Sequence, residues 1–302
     1  MPIDNGDFVI IAKGKKHRWL IQVEEGKEFH NHFGIVYHDD LLGKEFGDIY
    51  ESLSSHAQFI LVKPLMHEMA TKFARGTQII YPKDIGFIIL NAGIVPGSRV
   101  LEAGTGSGAM TMLIGSIVND GGSGKVISYD IVEKHHQIAK KNIIKARLSN
   151  IVDLRMGNVT ERGVQEELSK EDRFDACIFD LPKPWDVVDL AHQVLKPCGV
   201  FCSFSPVIEQ IKKTALKLRE GKWYDVNTFE LLLRAWQVKE NATRPKPSMT
   251  GHTGFIVVAK KINVKPPMEW NRDTRKDLAK KLKDEGDFDE TYDGEAINLF
   301  DD

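Results

Sequence analysis

Between residues 99 and 220, short apolar runs of strand length alternate with longer segments in which apolar residues return every three or four positions. The short runs predict strands over 99–103, 125–130, 152–156, 174–179 and 199–204. The longer segments predict helices over 109–118, 133–147, 186–195 and 207–220. This alternation of strand and helix, with no helix read between 156 and 174, predicts an α/β fold with a doubly wound parallel sheet. After Gly221 the pattern changes. Residues 223–229 and 254–260 read as two strands too close for a standard crossover, separated by the Pro-rich RPKPSMTGHTG, so an antiparallel pair is expected to close the sheet. Before residue 63, four apolar runs (DFVIIAKG, RWLIQVEEG, FGIVYHDD and QFILVKP) alternate with turns and predict a small β domain, read as an open barrel. A linker helix follows from Lys63, Pro82 excludes a central strand, and Asp84 is expected to cap a helix over IGFIILNAG. The expected domains are residues 1–70, 71–262 and a charged tail over 263–302, with a helix over 271–283.

Composition narrows the class. No stretch approaches the roughly 20 apolar residues of a membrane span, and the N-terminus lacks a signal-peptide core, so no membrane is expected. Cys177, Cys198 and Cys202 are too few for a disulfide framework, and Cys177 and Cys202 lie in apolar runs, so buried thiols in the cytoplasm are expected. His30, His32 and His38 lack partners at ligand spacing, so no metal is assigned. The net charge of −2 hides nine acids and no Lys or Arg in residues 284–302, against +7 on the rest. A basic body with a basic turn (Lys13, Lys15, Lys16, His17 and Arg18) permits an anionic partner such as RNA, although a solvated hairpin tip explains the turn equally well.

Candidate chemistry centres on RVLEAGTGSGA (99–109), a strand, a glycine loop and a helix start. Gly104, Gly106 and Ala109 also satisfy the dinucleotide pattern G-x-G-x-x-G/A. Glu102 decides between the readings, because a carboxylate at the strand end repels a pyrophosphate and suits a cofactor carrying an ammonium and a sulfonium. The loop therefore reads as a site for S-adenosylmethionine. Asp130, at the end of the next strand, stands where a carboxylate takes both ribose hydroxyls; the competing role is an N-cap for the helix from Glu133. The fourth strand ends in DLPKPW (180–185). An acid followed by two prolines and an aromatic resembles the loop with which amino- and ring-nitrogen methyltransferases hold a planar base, lengthened here by two residues.

Four stretches, RGTQIIYPKD (75–84), VLEAGTGSGAMT (100–111), DLPKPW (180–185) and RPKPSMTGHTGFIVVAKK (244–261), together resemble the tRNA adenine-58 N1-methyltransferase family, in its prokaryotic and particularly archaeal form. The resemblance spans about residues 8–261 and implies a class I S-adenosylmethionine-dependent methyltransferase fold, tRNA as partner and a homotetramer. It implies that Gln78 lines the cofactor. Glu102, Gly104, Thr105, Gly106, Ser107, Gly108 and Ala109 would hold its methionine end. Asp130 would serve the ribose and Asn158 the adenine, with His135 and Val159 also in the cofactor-binding set. Asp180 would bind the target base beside the cofactor, with Tyr81 near that base. Family members often have Glu at the position of Asp130 and an acid where this chain has Gly157-Asn158-Val159; Asn158 is expected to accept from the adenine amino group through its amide oxygen. Adenine N1 carries an in-plane lone pair, so no strong base is needed, and a carboxylate bonded to the N6 amino group stabilises the cationic product ring as it forms. Methylation at adenine 57 as well, a small-molecule or protein substrate, and a non-catalytic RNA-binding subunit stay open at this point.

Overall fold

The computed structural model describes residues 2–73 and 79–267. Gln78, the helix expected over 271–283 and the acidic tail lie outside the described residues.

The N-terminal part contains β1 (Phe8–Lys13), β2 (His17–Gln22), β3 (Glu28–Asn31), β4 (Gly34–Tyr37), β5 (Ile49–Glu51) and β6 (Gln58–Val62). They form an antiparallel sheet in the order β2-β1-β6-β5 and a separate β3-β4 hairpin, rather than one barrel. All four expected runs are strands. β3 and β5 add to them, and at four and three residues they are too short to show a period. In the basic turn, Arg18 pairs with Glu68, and the Lys13 ammonium lies 5.3 Å from the Phe33 ring centre.

Next come α1 (Met66–Phe73), α2 (Pro82–Asn91), β7 (Arg99–Ala103), α3 (Ala109–Val118), β8 (Lys125–Asp130), α4 (Glu133–Lys145), β9 (Val152–Met156), α5 (Arg162–Leu168) and β10 (Phe174–Phe179). After a 3-10 turn (Pro184–Val187) the chain runs through α6 (Val188–Val194), β11 (Leu195–Ser205), α7 (Ile208–Glu220), β12 (Trp223–Glu230), a short ribbon of β13 (Trp236–Gln237) and β14 (Arg244–Pro245), and β15 (Phe255–Lys261). Seven strands make one sheet in the order β12-β15-β11-β10-β7-β8-β9. β9, β8, β7, β10 and β11 are parallel, and β15 runs antiparallel between β11 and β12, as the spacing after Gly221 implies.

Both faces of this sheet are covered, which is why its strands read as continuous apolar runs. Val100, Val126, Ala176, Ile178, Val200 and Cys202 face the layer of α1 to α4. Their neighbours Leu101, Ile127, Cys177, Phe179 and Phe201 face α6, α7 and Trp223. Cys177 and Cys202 are buried thiols, that of Cys202 pushed up to about 12 by burial.

Local differences have local causes. Asp84 does not cap α2: the helix starts at Pro82, with Tyr81 at the cap position and no side-chain cap bond, because proline suits a first helical position whose N–H would be unpaired anyway. The helix expected over 133–147 ends at Lys145, and Arg147 turns left-handed (φ 58°). The helix expected over 186–195 is split by the 3-10 turn. α5 is seven mostly polar residues with one buried leucine, too little periodicity to read.

Candidate active site

The chain crosses outward through β7, β8 and β9 and then returns to β10 on the other side of β7, so the strand order reverses between β7 and β10. In an open α/β sheet this reversal leaves a crevice at the carboxyl ends of the strands. A cavity of about 830 Å³ lies there, walled by the loop after β7, the ends of β8 and β10 and the loop after β9.

The glycine loop forms its floor. Gly104 (φ 96°) adopts a conformation that disfavours a side chain, and a Cβ there would stand 2.2 Å from the Asp180 carbonyl oxygen. Gly104 and Thr105 donate backbone N–H groups to the Tyr129 carbonyl, and Asp180 N donates to Ala103 O at 2.9 Å. The loop is thus pinned between β8 and β10. Asp130 completes the pinning: Oδ2 accepts from Gly106 N and Oδ1 from Val132 N, both at 2.8 Å. Its carboxylate lines the cavity and is not an N-cap, since Val132 occupies that position with no side-chain cap bond. His135, one turn into α4, brings Nδ1 within 3.7 Å of Asp130 Oδ2 on the same wall.

Glu102 sits deeper than expected. It is fully buried on the α3 face of the sheet, does not line the cavity, and its Oε2 accepts from Ser128 (2.6 Å) and Thr111. Thr105 bonds Ser128 at 2.6 Å, so a hydroxyl chain links Glu102 to the loop. Oε1 has no protein partner. Burial pushes the Glu102 carboxyl up to about 7 against the pull of those two hydroxyls. Ser107 and Ala109 are buried, and Gly108 stands at the start of α3; like Thr105 they shape the loop from behind and do not face the cavity.

Asp180 lines the opposite wall, half-buried, with its carboxyl pushed up to about 6 by burial and then by the charge of Asp130. Asn158 and Val159 line the cavity beyond β9. The expected use of the Asn158 amide oxygen is corrected: Oδ1 accepts from Thr160 N (3.0 Å) and Thr160 Oγ1 (2.8 Å), which occupies both lone pairs. The amide N–H₂ is the group left to the cavity, a donor suited to a ring nitrogen rather than to an amino group.

Tyr81 is 45% exposed at the start of α2 and does not line the cavity. Asp84, the alternative base-holding acid, is fully buried and bonded to Lys83 Nζ at 2.7 Å. That ammonium also donates to Leu231 O (2.8 Å) and Thr253 Oγ1 (2.7 Å). The YPKD and GHTGF stretches are therefore joined physically, which sequence spacing gives no means to see. Residues missed from the sequence are Thr160, which holds Asn158, and Tyr129, Lys183 and Asp186 on the cavity wall.

Three carboxylates (Asp130, Asp180 and Asp186) against Lys183 and His135 favour a cationic ligand, and the glycine floor admits one that approaches the backbone closely. The residues present thus fit S-adenosylmethionine. Among the described residues no group of His, Cys, Asp and Glu is arranged to hold a metal ion, and no helix is long and apolar enough to cross a membrane.

Sheet order, glycine floor and facing acids define a class I methyltransferase. The family described as the tRNA methyltransferase complex GCD14 subunit matches residues 59–252, the TrmI-like N-terminal family matches residues 2–49, and the chain belongs to the former. It is 35% identical over 291 residues to the tRNA (adenine(57)-N(1)/adenine(58)-N(1))-methyltransferase TrmI of Methanocaldococcus jannaschii, covering 89% of this chain and 98% of that protein. Among solved structures it is similar to a SAM-dependent O-methyltransferase from Thermotoga maritima, with a TM-score of 0.77 at 28% identity over 88% of this chain and 96% of the other. It is also similar to the tRNA (m1A58) methyltransferase TrmI of Aquifex aeolicus, with a TM-score of 0.69 at 25% identity over 87% and 100%.

Proposed function

We propose that this protein methylates N1 of adenine 58 in tRNA with S-adenosylmethionine. The observation that carries the reading is Asp180: a half-buried carboxylate on the lip of the cofactor cavity, followed by the stiff Leu181-Pro182-Lys183-Pro184-Trp185 loop, with Trp185 covered by the Lys213 ammonium at 5.1 Å. The names of the archaeal and Aquifex relatives support the substrate. The Thermotoga neighbour's name supports O-methylation instead, but a hydroxyl acceptor must lose a proton to a base, and the His–Asp pair on the cavity wall, His135 with Asp130, is the one this reading gives to the cofactor.

When bound, S-adenosylmethionine supplies an electrophilic methyl group on a sulfonium. Asp130 holds the ribose hydroxyls while keeping the glycine loop in register, with His135 beside it. Gly104 and Gly106 let the ligand approach the backbone, and Ser107, Gly108 and Ala109 set the start of α3. Asn158 offers its amide N–H to an adenine ring nitrogen, and Val159 covers the ring. Glu102 acts from behind, steadying Thr105 through Ser128, with Oε1 as its one unpaired oxygen. Gln78 belongs to the cofactor set by resemblance. Asp180 accepts from the N6 amino group of the target adenine and offsets the ring charge that grows on N1, a contact strongest in the transition state. Tyr81, at the start of α2, belongs to the base-binding set by resemblance.

The domain division at residues 70 and 262, a homotetramer and a cytoplasmic location belong to the same reading. The test is mass mapping of a tRNA transcript after incubation with enzyme and cofactor, scoring adenines 57 and 58 separately. The expected product is 1-methyladenine at position 58. Methyl transfer only to hydroxyl-bearing small molecules would refute the reading.

A further inference from the structure

At the end of the sheet away from the cofactor cavity, a second cleft of about 490 Å³ opens between the end of α6, the start of β10 and the end of β15. Six residues of β10 separate the two openings, which at strand rise is ~20 Å. Arg173, His192 and Lys261 line this cleft. Lys261 is 7% exposed, and its ammonium donates to the Leu195 carbonyl at 2.7 Å. Arg173 donates to the same carbonyl at 3.3 Å and to that of Gln193. Two cations thus converge on one neutral acceptor.

Among the described residues neither has a carboxylate within ion-pair distance. Glu171 is the acid on the cleft wall, and it is engaged with Arg155 at 2.7 Å and Arg99 at 3.5 Å. The carbonyls at the end of α6 answer part of the charge, since a helix C-terminus presents about half a negative charge. Two full positive charges leave a surplus above one unit; Arg173 is exposed, but Lys261 is buried, and a buried cation without a counter-charge is costly. Consistent with this, burial and the neighbouring Arg173 push Lys261 below the usual lysine range. His192 Nε2 donates to the Ile262 carbonyl (3.1 Å), which fixes its ring on the cleft wall.

We propose that this cleft is an oxyanion site that takes a phosphate group between the Lys261 ammonium and the Arg173 guanidinium. The guanidinium fork matches two phosphate oxygens, and the ammonium supplies a compact charge at the third. The volume holds one phosphate with an attached sugar. An RNA backbone phosphodiester and a free phosphate-bearing small molecule share this chemistry, and the site stands whether or not the methyl acceptor is tRNA.

The first measurement is thermal unfolding of the full chain in inorganic phosphate against sodium chloride of equal ionic strength. Phosphate at ten times its dissociation constant should raise the midpoint by about 3 °C. Arg173→Gln and Lys261→Met should abolish that increment, and Arg173→Lys should keep part of it. Phosphate acting no more than chloride on the wild type, or equally on Arg173→Gln, overturns the proposal. The second measurement identifies the source through the salt dependence of tRNA transcript binding. A slope reduced by about one in Arg173→Gln assigns an RNA phosphate. An unchanged slope with the phosphate increment lost assigns a small phosphate compound. Absence of adenine methylation by the wild type would refute the function above while leaving the phosphate increment in place.

Discussion

Asp180 and Asp130 face one another across the cavity, and the charge of Asp130 acts on Asp180. Burial and the charge of Asp130 raise Asp180 to about 6, so the carboxylate proposed to offset the adenine charge predominates only above that pH. Single-turnover methylation should therefore fall on an acid limb with an apparent pKa near 6. Asp180→Asn should be slower by about 10² to 10³ at pH 8 and should lack that limb. Retention of the limb in the variant would move the titration to another group. Stability runs the other way. Glu102 and Asp180 have folded-state values above the usual carboxylate range, so the unfolded chain releases these protons first as pH rises. The ligand-free protein should lose stability from about pH 4 to pH 7 on this account, and saturating S-adenosylmethionine should flatten the slope, as thermal melts across that range would register. Asp130→Ala removes both the proposed ribose acceptor and the anchor of Gly106 N–H. Its cofactor dissociation constant should rise by more than tenfold while saturated turnover falls less, the reverse of the balance at Asp180.

At the scale of elements, the Lys83 ammonium ties the start of α2 to the end of β12 and to the loop before β15. Asp84 is fully buried, with Oδ2 unpartnered, so Lys83→Met leaves a buried carboxylate without its counter-charge. That should cost about 3–5 kcal/mol, and the double change Lys83→Met with Asp84→Leu should restore much of it. A midpoint in the double variant as low as in the single one would sink this account. The same tie marks the limit of what the chain reveals as a sequence. β7, α3, β8, β9 and β10 fall where their apolar periods place them, because both faces of a central parallel sheet are covered and strand and helix lengths are distinct. Asp130, Asp180 and the glycines follow because strand ends and glycine loops have fixed places in such a sheet. The depth of Glu102 does not follow, since whether a strand-end acid faces the ligand or the helix depends on the pleat. Nor does Asn158, whose amide orientation is set by Thr160 two residues on, or the Lys83 contact, whose partners lie about 150 and 170 residues away along the chain.

Whole-molecule behaviour turns on the segment between β12 and β15. There the chain leaves Leu232, Leu233, Trp236 and Val238 more than half exposed on and beside the β13-β14 ribbon. A two-stranded ribbon is marginal by itself, and a cluster of large apolar side chains on it marks a protein contact rather than a free surface. In the proposed homotetramer the ribbons of neighbouring copies would cover one another and bring further surface to a folded RNA. Light scattering at micromolar concentration should then give the mass of four 34.1 kDa chains. Trp236→Ser together with Leu233→Ser should shift the particle toward dimers or monomers while leaving the cofactor dissociation constant unchanged, because neither residue lines the cavity. If assembly is needed to hold the tRNA, the same double variant should raise KM for tRNA well before it lowers the rate at saturation. A wild-type protein that scatters as a monomer, or a double variant that stays tetrameric, would place the interface elsewhere.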